Sequence, residues 1–357
     1  MQPKRLIYDL DFNELSQVFQ EWTEPAYRAT QVWQGIYQQL WNSPEQFTTL
    51  PAALRARLDE NFRFQSMSPA RTIQSSDGET VKTLLLFADQ FSVEAVLMRY
   101  ADRRTLCISS QSGCAMGCVF CATGQMGFGR NLSSGEIVEQ ILYYARQLRS
   151  EDDRVTNVVM MGMGEPFHNY AATLKAIDTL NDSRGMNLGE RRFTISTVGL
   201  VPKIRQFADE QRQINLAISL HAANDEERSA VLPVNRRYPL QDLLDACRYY
   251  VEKTNRRITF EWALILDVND TPAHAKELAH LLKGLLCHVN VIPLNPTQQF
   301  GGKATTRERA QRFCAELEKA GIPCTIRIRR GIDIQAGCGQ LASETAQRRR
   351  PSTHDMI

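Results

Sequence analysis

Apolar positions early in the chain recur at helical spacing. Within Pro25 to Leu40, the residues Ala29, Val32, Trp33, Ile36 and Leu40 fall on one helical face, and Asn42-Ser43-Pro44 interrupts the pattern. With Phe12 to Trp22 before it and Leu54 to Phe62 after it, this predicts a small bundle of three helices. From Arg71 the period shortens to that of strands. Thr72 to Ser75 and Thr80 to Phe87 read as a hairpin around Asp77-Gly78, and Ser92 to Tyr100 as a further strand whose one carboxylate is Glu94.

Beyond residue 100 the pattern alternates. Strands are predicted at Thr105 to Ser109, Asn157 to Met161, Arg192 to Thr197, Asn215 to Leu220, Ile258 to Leu264 and His288 to Ile292. Helical stretches lie at Gly135 to Leu148, Tyr170 to Leu180, Pro202 to Ala208, Leu240 to Lys253, Ala273 to Lys283 and Thr305 to Ala320, and a last strand at Thr325 to Arg330. Repeated strand-helix units imply parallel strands with right-handed crossovers, hence an α/β fold with a partial (β/α)6 barrel. The expected division is a helical accessory domain over 1–62, a β connector over 63–99, a core barrel over 100–331 and a C-terminal segment over 332–357. Such barrels carry their chemistry on the loops that follow the strands.

Composition narrows the setting. The 357 residues are 43% hydrophobic and 23% charged, ordinary for a globular protein. Nine cysteines without even spacing fit a reducing compartment, and no run of membrane-spanning length or signal-peptide core occurs, so a cytoplasmic protein without a membrane partner is expected. A net charge of +2 gives no global argument for nucleic acid. Only local basic clusters could supply one. The pairs Arg103-Arg104, Arg191-Arg192, Arg236-Arg237 and Arg256-Arg257, the alternating Arg327 and Arg329, and Arg348 to Arg350 would track phosphates if gathered at one barrel mouth.

The densest chemistry is Gly113-Cys114-Ala115-Met116-Gly117-Cys118-Val119-Phe120-Cys121, three thiols at spacings of four and three. A [4Fe-4S] cluster normally takes four thiolates, so a three-cysteine loop leaves one iron open to a small molecule. The spacing is similar to that of the radical S-adenosylmethionine superfamily. A structural zinc site would need a fourth Cys or His ligand, and no second Cys-x-x-Cys occurs. The loop follows the first predicted barrel strand and precedes Ser133-Ser134-Gly135-Glu136, a capping box. Other strand ends are polar: Gly162-Met163-Gly164-Glu165-Pro166, Ser196-Thr197, Ser219-Leu220-His221 and Asn295-Pro296. Glu165 suits an ammonium group.

These motifs, with the tail Arg330 to Leu341 that contains Gly337-Cys338-Gly339-Gln340, resemble the RlmN/Cfr family of radical S-adenosylmethionine rRNA methyltransferases from about Glu94 to Leu341. One departure is Ala336-Gly337, where two alanines are expected. The resemblance implies a [4Fe-4S] cluster on Cys114, Cys118 and Cys121, and S-adenosylmethionine bound by Gly164, Glu165, Ser196, Ser219, Leu220, His221 and Asn295. It further implies that Cys338 accepts a methyl group from one S-adenosylmethionine while a second yields a radical, that Glu94 takes the ring proton, and that Cys107 resolves the RNA adduct as a disulfide with Cys338. Its expected partners are 23S rRNA, tRNA as a second candidate substrate, and an electron-donating reductant, with a monomer as the default. Methylation at adenine C2 is the first expectation. Alternatives are C8 methylation and a zinc-stabilised RNA-binding protein. Taken without the resemblance, Cys107 reads as a buried small hydrophobe and Glu94 as an edge-strand charge. Cys247, Cys287, Cys314 and Cys324 read as structural.

Overall fold

A computed structural model describes residues 4–327 and 329–342. Its centre is one ten-stranded sheet: β1 (Met67–Gln74), β2 (Thr80–Phe87), β3 (Ser92–Arg99), β4 (Arg104–Cys107), β5 (Asn157–Met160), β6 (Phe193–Thr197), β7 (Asn215–Ser219), β8 (Ile258–Leu264), β9 (Cys287–Pro293) and β10 (Cys324–Ile326). Spatial order follows chain order from β1 to β10. The pairs from β4 through β10 are all parallel, whereas β1, β2, β3 and β4 pair antiparallel. The extension is thus continuous with the barrel. It contributes three strands to one edge of the same sheet.

Six helices cross over between the parallel strands or flank them: α4 (Ser134–Ser150), α5 (Tyr170–Asn181), α6 (Val201–Asp209), α7 (Leu240–Thr254), α8 (Pro272–Leu281) and α9 (Arg307–Lys319). The capping box at the start of α4 forms as its sequence demands. Ser133 Oγ accepts from the Glu136 N–H at 3.2 Å, and Glu136 Oε2 accepts from the Ser133 N–H at 2.9 Å. Strands buried on both faces carry apolar runs, and in β8 every residue but Thr259 is buried. That run also buries a carboxylate, Glu261.

The N-terminal helices are Phe12–Glu21, Tyr27–Tyr37 and Ala52–Asn61, packed around Leu15, Phe19, Val32, Trp33 and Ile36. They dock onto α4. Asp9 Oδ1 accepts from the Gly135 N–H at 2.7 Å, and Arg146 Nε donates to the Leu40 carbonyl at 2.9 Å.

Two expectations need correction. The last strand stops at Ile326 instead of running to Arg330. Arg327 keeps a final bond to the Val291 carbonyl at 2.9 Å. The Arg330 guanidinium donates to the Arg99 carbonyl at the end of β3, at 3.0 Å. With the strand ended at Ile326, Arg327 and Arg329 do not share a strand face. The second correction concerns the basic pairs. Arg104, Arg191-Arg192 and Arg256-Arg257 begin or immediately precede β4, β6 and β8, which puts them at the N-terminal ends of the strands, opposite the strand ends that bear the polar motifs. Arg104 is tied to Asp153 at 2.5 Å, and Arg256 to Asn215 at 2.9 Å. Of the predicted pairs, Arg236-Arg237 follows the C-terminal end of β7. Arg348 to Arg350 lie outside the described residues.

Candidate active site at the strand C-termini

The predicted cysteine loop is closed by a short antiparallel ribbon that periodicity did not reveal, Gln111–Gly113 paired with Phe128–Asn131. Gly113 sits at φ +74°, and a Cβ there would fall 2.1 Å from the Gly127 carbonyl oxygen, so only glycine lets the two arms meet. Cys114, Cys118 and Cys121 all line one cavity at the C-terminal ends of the parallel strands. Burial pushes the Cys114 thiol up to about 12, and burial together with Cys121 and Cys114 pushes Cys118 well above the ordinary thiol range. Three thiols so placed become thiolates when a positively charged metal centre joins them. Three thiols lining one cavity are a donor set that fits an iron–sulfur cluster.

The other strand ends converge on the same cavity, which is lined also by Gly164, Glu165, Ser196, Ser219, His221, Asn295 and Cys338. Gly164 has φ +100°, and an added Cβ would lie 2.6 Å from Gln111 Cβ, which fixes the turn that delivers Glu165. The Glu165 carboxylate accepts from the Phe167 and Val198 N–H groups, each at 2.9 Å. Burial nevertheless raises its pKa to about 7, and these donors hold it down only in part. A cation arriving in the cavity would restore its charge.

His221 follows β7 in the left-handed region, φ +63°. Its Nδ1 accepts from the Ala263 N–H at 2.9 Å, and burial drives its pKa down to about 3, so the ring is neutral with its proton on Nε2. Leu220 is the exception among the predicted contacts. Its side chain is fully buried away from the cavity, and only its backbone is engaged, donating to the Glu261 carbonyl and accepting from Arg228 Nε, each at 3.1 Å. Asn295 donates through Nδ2 to the Cys338 carbonyl at 3.1 Å, while its buried Oδ1 has no partner among the described residues. An orphaned acceptor on a cavity wall is the mark of a site built for a polar ligand.

The segment carrying Cys338 has no regular secondary structure and is held by other elements. The Ala122 N–H donates to the Gly339 carbonyl at 2.7 Å, Thr123 Oγ1 to the Leu341 carbonyl at 2.6 Å, and Gln340 Nε2 to the Pro296 carbonyl at 2.9 Å. Gly337, the departure from the expected pair of alanines, is buried. A Cβ there would meet Asn295 Nδ2 at 2.6 Å and Gln340 Oε1 at 2.8 Å, so the loop is tight at this point. The Cys338 thiol has accessible surface and lines the cavity. Desolvation raises its pKa, opposed by the Arg327 guanidinium.

Cys107 and Glu94 do not line the cavity. Cys107, at the end of β4, is half-buried, and burial pushes its thiol to about 12, with Cys338 adding to the rise and Arg327 opposing it. Cys107 and Cys338 are free thiols in this structure. The disulfide present joins Cys314 on α9 to Cys324 on β10, a pair that spacing did not suggest. Glu94 is buried on β3, where Oε1 pairs with Lys82 Nζ at 3.0 Å and Oε2 accepts from the Ala342 N–H at 2.9 Å.

Two residues escaped the sequence reading, and a third was read for another role. Glu261 lines the cavity and its Oε2 accepts from Asn290 at 2.7 Å; the signal was a carboxylate inside the apolar run of β8. Lys82 carried the same signal within β2. Arg327 was read only as a candidate phosphate contact, and nothing in its spacing placed it beside Cys338 and Cys107.

Comparison with known proteins accords with this geometry. Residues 108–282 match the radical SAM superfamily, and residues 6–63 match the ribosomal RNA large subunit methyltransferase N-terminal domain. The dual-specificity RNA methyltransferase RlmN 1 of Myxococcus xanthus is 49% identical over 346 residues, covering 97% of this chain and 96% of that protein. A probable dual-specificity RNA methyltransferase RlmN of Chloroflexus aurantiacus is 47% identical over 350 residues, 95% of this chain and 93% of that one. The crystal structure of a radical SAM methyltransferase from Sphaerobacter thermophilus superposes with a TM-score of 0.92 at 50% identity, covering 94% of this chain and 99% of that chain. Among the described residues no helix is long and apolar enough to cross a membrane.

Proposed function

This chain belongs to the RlmN family of radical S-adenosylmethionine RNA methyltransferases, which implies a [4Fe-4S] cluster and S-adenosylmethionine, and from that premise we propose that it methylates C2 of an adenosine in 23S rRNA. The dual specificity of its relatives supports an anticodon-loop adenosine of tRNA as a second substrate. The observation that carries this reading is that the loop bearing Cys338 is hydrogen-bonded to the loop bearing the three clustered cysteines and opens on the same cavity.

Cys114, Cys118 and Cys121 would hold the cluster, whose open iron, with bound S-adenosylmethionine, supplies a carbon radical able to remove a hydrogen atom from a methyl group. Glu165 takes the ammonium of the methionine moiety. Gly164, the backbone of Leu220, and the side chains of Ser196, Ser219, His221 and Asn295 orient the remainder. The Cys338 thiolate attacks the methyl carbon of one S-adenosylmethionine, displacing S-adenosylhomocysteine, so each turnover consumes two molecules of the donor. After hydrogen removal the one-carbon unit on Cys338 bonds to the adenine ring; the ring proton passes to Glu94, and the remaining unpaired electron would return to the oxidised cluster. The Cys107 thiolate then attacks the Cys338 sulfur. The sulfur–carbon bond breaks toward the base, whose carbon takes a proton to become the methyl group, and an external dithiol reduces the resulting disulfide. The need for an external dithiol fits a cytoplasmic enzyme, and a monomer is the default.

Two measurements test the proposal. Anaerobic purification should give a brown protein with iron and sulfide; a colourless protein with stoichiometric zinc would end the radical reading. Mass spectrometry of the modified rRNA should find 2-methyladenosine, and 8-methyladenosine in its place would reassign the ring position alone.

A further inference from the structure

Lys82 has no part in the scheme above, yet its surroundings are unusual. It stands on β2 with its side chain about nine-tenths buried, and its ammonium reaches two groups. One is Glu94 Oε1 on β3 at 3.0 Å; the other is the Gln335 carbonyl oxygen at 3.1 Å. The second oxygen of Glu94 accepts from the Ala342 N–H at 2.9 Å. Gln335 and Ala342 bracket the segment that contains Cys338. A lysine and a carboxylate, diagonal neighbours on β2 and β3, therefore grip that segment at both ends.

Burying an ammonium costs several times what a surface charge costs, and only good geometry at every donor offsets it. A fold that merely needed the tail attached could use the backbone and side-chain bonds it already has to Ala122, Thr123 and Pro296. The lysine does something those bonds do not. Its one ammonium ties the neighbouring carboxylate to the loop and sets the distance between them.

We propose that Lys82 is a positioning residue for RNA methylation, holding Glu94 in register with the Cys338 loop so that the carboxylate can take the proton of the methylated ring carbon. This rests on the reading of Glu94 as proton acceptor and Cys338 as methyl carrier. Without the ammonium, Glu94 Oε1 loses the partner that fixes it and the loop loses its hold at Gln335, so the carboxylate no longer stands where the ring proton is released. The reaction then stops after the one-carbon unit has joined the base, with the RNA still bonded to Cys338.

The test compares wild-type holoenzyme with Lys82→Met, Lys82→Arg and Glu94→Gln on an rRNA fragment that carries the target adenosine. Lys82→Met should retain iron and methyl loading of Cys338, accumulate a covalent protein–RNA adduct as Glu94→Gln does, and lose about a hundredfold in product, the scale of one acid–base group. Lys82→Arg, with the charge restored, should recover most of that product. Hydrogen exchange of residues 335–342, measured without RNA or S-adenosylmethionine, should quicken in Lys82→Met and return toward wild type in Lys82→Arg. If the Met variant does not fold, Lys82→Gln keeps a donor for Gln335, removes the charge and gives the same readouts. Normal turnover by the uncharged variants overturns the proposal. So does loss of product without adduct while Glu94→Gln accumulates one. Should Glu94→Gln itself turn over or form no adduct, the assignment of Glu94 has failed and the role of Lys82 falls with it.

Discussion

The two cysteine-bearing loops that meet in the cavity are built in opposite ways. The loop with Cys114, Cys118 and Cys121 is closed by its own flanks, Gln111–Gly113 against Phe128–Asn131, within a short stretch of chain. The loop with Cys338 is held from outside, by contacts whose sequence separations reach 253 residues for Lys82 to Gln335 and 248 for Ala342 to Glu94. A local closure keeps its ligands in place even if distant parts shift. A remote one makes the reactive thiol a readout of the whole fold.

The sharpest way to break this contrast is to remove thiols from each loop. Alanine at Cys114, Cys118 or Cys121 should abolish iron binding and all product, whereas Cys338→Ala should abolish product while iron and sulfide stay at wild-type levels. Full iron in the first set, or product from the second, would contradict the division of labour. Next in size is Cys107→Ala, which should accept the methyl group, add it to the base and stall. The stalled species is a nuclease-trimmed adduct on Cys338 by mass spectrometry, and normal turnover would remove Cys107 from the mechanism.

A smaller effect tests the base on which the remote loop rests. Glu139 on α4 accepts hydrogen bonds from the Ser66 N–H at 2.9 Å and from the Ser66 hydroxyl, just ahead of β1. Burial raises its pKa from 4.5 to about 7. A group raised in the folded state contributes stability that is complete below its unfolded pKa and is lost as pH rises through the folded value. Thermal stability of the apoprotein should therefore fall between about pH 5 and pH 8, by roughly 1–3 kcal/mol from this group, and Glu139→Gln should flatten that decline. An unchanged slope in the variant would assign the pH dependence elsewhere.

The smallest effect probes the seam between the loops. Thr123→Val deletes the bond from Oγ1 to the Leu341 carbonyl and should cost about 1 kcal/mol, seen as several-fold slower methyl loading of Cys338 at unchanged iron content. A loss of iron instead would show that the cysteine loop leans on the tail.

The same contrast explains what the sequence could and could not reveal. Strand-helix alternation announced the barrel because each unit is a local pattern, and β8 and α5 begin at the predicted residues. The thiol spacing was legible for the same reason. The polar strand ends at Glu165, Ser196, Ser219, His221 and Asn295 followed from the architecture, since parallel strands bring their C-terminal ends to one mouth. The partners of Lys82 and Arg327 were not legible, for they lie far off along the chain, although Lys82 left a trace as a charge within the run of β2. The basic pairs misled because a pair beside a strand does not say which end of the strand it occupies. Cys314 and Cys324 were likewise opaque: their bond depends on how α9 returns to β10.

The sheet's strictly sequential strand order has a further consequence for how the enzyme comes into being. Lys82 and Glu94 stand on β2 and β3, near the start of the sheet, whereas the segment that they clasp follows its last strand, so the two emerge from the ribosome far apart in time. Docking of that segment is a late, long-range closure that follows folding of the barrel. A chain whose strands β1 to β10 are not yet assembled offers Lys82 and Glu94 no fixed place from which to hold Cys338, so the docked segment reports that the sheet beneath it is already complete.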